Sequence, residues 1–499
     1  MTVQLVQKRG RVGRVIERAR RPDKNHMEAL KKRVPFWFTF AVLFAFATWQ
    51  IMMNPFGFSD LVQRYTQDVS NLLITGPYLY PTTGRDKISV VIVDDKTLHT
   101  LATPWPWSYG TQARMLDSIL AYHPRAVIVD FLFYDPRADD TLPELVDEIH
   151  RFQKAHVPIY FEGGINLPYG EDPLRKELAA TGVPILDPTI AVNAGIARQY
   201  NTKGQCFRGP QAGTNACLSL ALQVYKDLYP ANPPVPLADM MELVWGTRYS
   251  PHNYWITYPG EDGQPVKCED KRGPIKRTYL AFFDTNAVKS HCPYQGMVPA
   301  ESLMMGGDDK DITDMLTNKI VFYGGDIEGA QDKSATPVNT LQPNVFVHAM
   351  ALDNLISFNG KPEQDVMTIG GTTISTNPAQ ILAITPVILI LSWIHRVRVK
   401  RKRKRETALA SHDRSAMFEY FLDKIFENVW HYFAFALALG VGLLLALAVG
   451  LSVANWVEVV FVSVELAAML LLGVPDSVWG YLHHVAGGVP DFATGEQKT

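Results

Sequence analysis

Seven aspartates hold most of the chemistry that the sequence offers. Asp94 and Asp95 close one apolar run, Asp130 closes a second with Asp135, Asp139 and Asp140 just beyond it, and Asp332 follows a third far downstream. Ligands of open α/β sheets bind beyond the carboxyl ends of strands, where these acids fall. Clustered there, carboxylates could hold a hard cation through oxygen ligands or grip a cationic ligand. The competing reading is ordinary: aspartates cap helices, shape turns and stay solvated. His348 reads as a core or helix-face histidine, and no metal or cofactor is assigned.

Catalysis finds little support. The chain carries no P-loop, HExxH, nucleophile elbow or glycine-rich dinucleotide fingerprint, so no catalytic residue is named and no enzyme activity is expected. Gly306-Gly307-Asp308-Asp309 shares only letters with the diguanylate cyclase signature, and Gly324-Gly325-Asp326 fares no better. Paired acids can hydrolyse a glycan, but no aromatic platform stands convincingly beside these. A periplasmic hydrolase is therefore the third reading.

The elements that must position the acids are legible. Ile88 to Val93 is a β-branched run with the character of a strand buried on both faces, Trp105-Pro106-Trp107 turns the chain, and Gln112 to Tyr122 has apolar residues at helical spacing. Ala126 to Phe133 is again a buried-strand pattern, which completes a βαβ unit. Downstream, Leu218 to Leu228 reads as an amphipathic helix, Lys319 to Tyr323 as a buried strand and Val345 to Leu355 as a helix. Tyr254 to Tyr258 and Tyr279 to Phe283 read as short strands. The fold class expected is α/β, a mixed sheet flanked by helices, because hairpin-like spacings lie among the βαβ connections.

Hydropathy divides the 499-residue chain. Residues 1–33 form a basic tail, expected in the cytoplasm, and residues 34–53 an apolar run of spanning length with Trp37 and Trp49 as interfacial anchors. A cleavable signal peptide is disfavoured by the long positive region. Residues 54–377 contain no spanning segment and form a large polar body, placed outside the cytoplasm by the positive-inside rule. A second span is expected at 378–395, opened by Asn377-Pro378 and interrupted by Pro386. Eight of the ten residues from Arg396 to Arg405 are basic, which puts a connector over 396–428 in the cytoplasm and against membrane lipid. Spans at 429–451 and 456–474 follow, with a cytoplasmic tail at 475–499. The formal net charge of −2 hides this segregation, and no nucleic-acid partner is expected.

Two glutamates fall in the fourth expected span. Glu458 and Glu465 are seven apart, on one helical face, and carboxylates inside a membrane are functional candidates by default. Interhelical hydrogen bonding, or interfacial exposure for Glu458, is the alternative. All four cysteines, Cys206, Cys217, Cys268 and Cys292, lie in the outer body, where an oxidising compartment favours disulfides. Closeness in sequence favours pairing Cys206 with Cys217 and Cys268 with Cys292, though three pairings are possible. Their spacing fits no compact zinc motif.

Three blocks carry a family resemblance. ISVVIVDDKTL from Ile88, WPWSYGTQARMLDSILAYHPRAVIVDFLFYDPRADD from Trp105, and LTNKIVFYGGDIEGAQDKSATPVNTLQPNVFVHAMALDNLI from Leu316 together resemble the type-2 CHASE domain. That domain is an extracytoplasmic sensory module of bacterial membrane receptors. The region from Pro158 to Gly296 resembles it only loosely. The resemblance implies one span, a large outer domain and three further spans, usually followed by a cytoplasmic output domain. About twenty-five residues follow Val474, so output is expected to pass through a separate partner. The first expectation is thus an inner-membrane sensor of an unknown extracytoplasmic ligand, in an oligomer. The second is a structural subunit of an envelope-spanning secretion or export assembly.

Overall fold

Ile88–Asp94 (β1) is buried along both faces, which is why its sequence is a near-continuous run of Val and Ile instead of an alternation. It lies inside a six-stranded sheet with Ala126–Val129 (β2), Ile159–Glu162 (β3), Ile185–Leu186 (β4), Gly296–Pro299 (β5) and Ile320–Asp326 (β6), in the order β5-β1-β6-β2-β3-β4. Every pairing between these strands is parallel. The expected mixed sheet is therefore corrected. The hairpin-like spacings belong to separate two-stranded ladders, such as Gln199–Asn201 with Met240–Glu242 and Lys203–Gly204 with Cys217–Leu218.

The computed structural model describes residues 35–53, 64, 67–69, 71–134, 139–164, 174–192, 195–208, 210–234, 238–259, 265–267, 274–306, 310–329, 332–361, 366–369, 372–375, 377–410, 462–463, 466–467, 469–470 and 474–487. The chain divides into two compact units, one of residues 65–374 and one of residues 1–64 with 375–499.

In the larger unit the parity of the strands sorts the core into two layers. Val91, Val93, Val127, Val129, Phe161, Val321 and Tyr323 point to one face. They pack against Tyr109–Leu120 (α1) and Leu142–Lys154 (α2), whose apolar stripes supply Met115, Leu116, Ile119, Leu145, Ile149 and Phe152. Val90, Ile92, Ile128, Tyr160 and Phe322 point to the other face, against Leu220–Leu228 (α3) and Asn344–Ser357 (α4). Ser108 starts α1 as an N-cap, accepting the Thr111 N–H. Helix α4 is buried almost all round, with only its first and last residues partly exposed. That accounts for its lack of an amphipathic pattern.

The middle of the chain differs from its reading. Pro274–Phe283 is an α-helix, so Tyr279 to Phe283 is not a strand; its pattern also fits a largely exposed helix that buries Ala281. Pro251–Trp255 is a 3₁₀ turn opened by Pro251, leaving only Thr257–Pro259 as strand. Cys206 and Cys217 form a disulfide, and Cys292 is disulfide-bonded too; Cys268 lies outside the described residues.

The smaller unit contains an apolar helix at Phe36–Met53 and a 34-residue helix at Asn377–Ala410. Among the described residues, these two are the only helices long and apolar enough to cross a membrane. Four spans are thus not reproduced: 429–451 lies outside the described residues, and 456–474 is described only at a few positions. Pro386 does not end the second helix, and the basic run to Arg405 continues it. The expected tail at 475–499 is helical over Val474–Gly487.

Candidate functional site

Three adjacent parallel strands end in one row. Val129 is in register with Phe161 and Tyr323, so one step further on Asp130, Glu162 and Gly324 come side by side and, by parity, face α4. A Cβ on Gly324 would lie 3.0 Å from both Asp130 Oδ2 and Val345 Cβ. The absent side chain lets the first turn of α4 settle onto the strand end. Helices that follow β1 and β2 cover one face of the sheet, whereas α4, which follows β6 between them, covers the other. The end of β6 is therefore a switch point, where such sheets open a crevice.

His348, one turn into α4, completes the cluster. One ligating atom from each of Asp130, Glu162 and His348 lies within 4.8 Å of the others, and all three residues are buried. Glu162 Oε1 lies 3.7 Å from His348 Nε2 and has no hydrogen-bond partner, although Glu162 is only 4% exposed. On the far side of the ring the Tyr200 hydroxyl is 2.8 Å from Nδ1. Tyr200 therefore fixes the imidazole plane.

Burial sets the electrostatics. It pushes the Asp130 and Glu162 carboxyls well above the usual carboxylate range, helped for Glu162 by the negative charge of Asp130. Burial thus favours the protonated form of both carboxyls. The charged neighbours acting on Glu162 are Asp130, Asp332 and Asp187, all acidic. His348 is pushed down to about 3 by burial, so its imidazole is neutral. Two carboxyl groups and a neutral imidazole thus converge in a desolvated cluster, the donor set of a divalent cation site.

The sequence of the larger unit fits a known family. The sequence profile of the CHASE2 domain matches residues 38–390. The chain belongs to the CHASE2 family. No curated protein and no solved structure matches it. The type-2 CHASE reading of the three blocks therefore holds, and the match runs through the loosely similar middle as well.

Within the CHASE2 domain the seven aspartates part company. Asp130 is in the buried cluster, and Asp332, exposed at the rim, adds its repulsion to both carboxyls while accepting the Asn344 side-chain N–H at 2.6 Å. Asp94 caps the next helix through the Thr97 N–H at 2.7 Å, and Asp95 accepts the Glu328 N–H at 2.9 Å. Asp139 accepts the N–H groups of Tyr109 and Thr141 at 2.5 and 2.9 Å. Asp140 is exposed, and Asp135 lies outside the described residues, as do Glu458 and Glu465. Glu162 is the member that sequence reading missed. Its signal was present: Ile159-Tyr160-Phe161-Glu162 is an apolar strand closed by an acid, like β1 and β2.

Proposed function

We propose that this chain is an extracytoplasmic sensor held in a bacterial inner membrane, which takes its signal in the crevice at the ends of β2, β3 and β6 and passes it to a separate cytoplasmic partner. The observation that carries the reading is a CHASE2 domain, a sensory module, with Asp130, Glu162 and His348 buried together at its switch point and one Glu162 oxygen lacking a hydrogen-bond partner. The Cys206–Cys217 disulfide supports an oxidising compartment for the domain. The apolar helices Phe36–Met53 and Asn377–Ala410 support anchoring at both ends of the domain, as two of the four spans expected.

Signal transfer has a direct covalent route. His348 sits on α4, and after α4 only the hairpin of Val366–Ile369 and Thr372–Ser375 precedes the long helix. That helix of 34 residues is about 51 Å long at 1.5 Å per residue, against a hydrocarbon thickness of about 30 Å. Its excess length bears the Arg396–Arg405 basic run, a rigid cytoplasmic extension beside anionic lipid. A ligand that binds two packings of the crevice with different affinity would bias that extension. The reading gives the chain no catalytic step of its own.

Gentle detergent extraction of the tagged protein, with bound proteins identified by mass spectrometry and the particle mass measured, tests this role. Recovery of a kinase or cyclase in a small particle is the expected result. A stoichiometric multi-protein particle of megadalton scale would overturn it in favour of a structural envelope subunit.

A further inference from the structure

Two buried carboxyls and an imidazole converge on a point where Glu162 Oε1 has no hydrogen-bond partner and where the charged neighbours of Glu162 are all acidic. Leaving a desolvated carboxyl oxygen unpaired is unfavourable, more so if it is charged. We propose that Asp130, Glu162 and His348 form a binding site for a divalent first-row transition-metal ion, with Zn²⁺ as the representative.

The donor set selects the class. Imidazole with carboxylates suits zinc and its neighbours, whereas calcium and magnesium take oxygen ligands alone. Ligating atoms within 4.8 Å of one another can close around an ion at bond lengths of about 2.0–2.2 Å with small side-chain adjustments. The charge balances: two carboxylates offset a divalent ion, and any protons the carboxyls carry leave to solvent when it binds. The imidazole is also prepared for the role. Tyr200 Oη has two acceptor lone pairs, so it can accept a His348 Nδ1–H at 2.8 Å, leaving the Nε2 lone pair for the metal. A hydrogen bond of this kind to the distal nitrogen is the usual outer-shell support of a metal-bound histidine. Binding rests on the crevice alone. That the ion acts as the signal rests on the sensing role.

The test uses the full-length protein in detergent, stripped with EDTA and titrated with Zn²⁺ against a chromophoric chelator, with ion content read by mass spectrometry. One Zn²⁺ per chain is expected, undisplaced by Ca²⁺ or Mg²⁺ at equal concentration. Glu162→Gln and His348→Gln should each weaken it at least 100-fold, and Tyr200→Phe by about 10–100-fold, as for lost outer-shell partners. Metal-free Glu162→Gln should melt no lower than the metal-free parent, because the amide matches the carboxyl in size, is neutral at every pH and keeps a donor toward Asp130. Absence of a stoichiometric ion in the parent overturns the proposal, whether or not any variant folds. So does an ion whose affinity none of the three substitutions moves. A bound ion with no signalling enzyme recovered would retain the site and reject the sensor; recovery of that enzyme without an ion would do the reverse.

Discussion

Gly324 and Val345 meet where β6 ends and α4 begins, so closely that a Cβ on the glycine would stand 3.0 Å from both Cβ and Cγ2 of the valine. Val345 is β-branched and fully buried, and Asp130 Oδ2 stands equally close on the other side. Neither neighbour can yield without moving the helix or the strand end.

Gly324→Ala is therefore expected to destabilise the outer domain by about 1–3 kcal/mol, the range for overpacking. Because α4 must lift, the cluster around His348 should loosen as well. Thermal melting and amide exchange of the α4 first turn check both effects. Gly325→Ala is the comparison: its Cβ would meet the Phe131 ring edge at 3.1 Å, on the opposite face of the sheet, and should leave His348 undisturbed.

Asp353 provides the pH dependence. It is buried on α4, accepts the Tyr80 hydroxyl at 2.6 Å, and burial pushes it from 3.8 up to about 7. Below 3.8 the group is protonated whether the chain is folded or not, and stability is unaffected. As pH rises from there to 7 the unfolded chain releases the proton while the folded one keeps it, so stability falls, and above 7 the loss is complete. Asp353→Asn does not titrate. Relative to the parent it should gain on the order of 2 kcal/mol between pH 4 and pH 8, with about 4 kcal/mol as the ceiling set by the shift. Melting curves of both proteins across that range decide it.

Arg198 and Asp68 make a bidentate pair, at 2.9 and 2.7 Å, with both side chains about nine-tenths buried. Removing one partner leaves an uncompensated buried charge, so Arg198→Met should cost about 3–5 kcal/mol. Adding Asp68→Asn should return part of that loss, and a double-mutant cycle in denaturant reads the coupling.

Replacing Cys206 and Cys217 by serine should cost about 2–4 kcal/mol, because the bridge closes a short loop between the Lys203–Gly204 and Cys217–Leu218 strands. The loss should be larger when the parent is unfolded in a reductant, because the bond at Cys292 opens as well.

The parts of the fold legible in sequence were those where burial forces composition. Strands β1, β2 and β6 are enclosed on both faces and so read as unbroken apolar runs, and α1 and α3 showed their stripes. The parallel character of the whole sheet was not legible, because strand direction depends on long-range crossovers while the hairpin spacings of the middle are local and conspicuous. Asp94 and Asp130 look alike in sequence, yet one caps a helix and the other faces α4. The two share a face of the sheet, and the difference is one of register: Asp130 stands level with Ile92, two residues short of Asp94. Glu162 and His348 are nearly two hundred residues apart, and only the switch at β6 brings them to one point. A histidine on a helix buried all round carries no sequence mark to distinguish it from a core residue.

The central claim, that the crevice and the membrane-proximal helix are coupled, is tested most directly by amide hydrogen exchange on full-length protein, comparing the parent with Glu162→Gln. The account predicts altered exchange in α4, in the hairpin of residues 366–375 and in the helix beginning at Asn377, with the small ladder of Lys203–Gly204 and Cys217–Leu218 unchanged. Altered exchange confined to the ends of β2, β3 and β6, with the helix from Asn377 identical in both proteins, would contradict it.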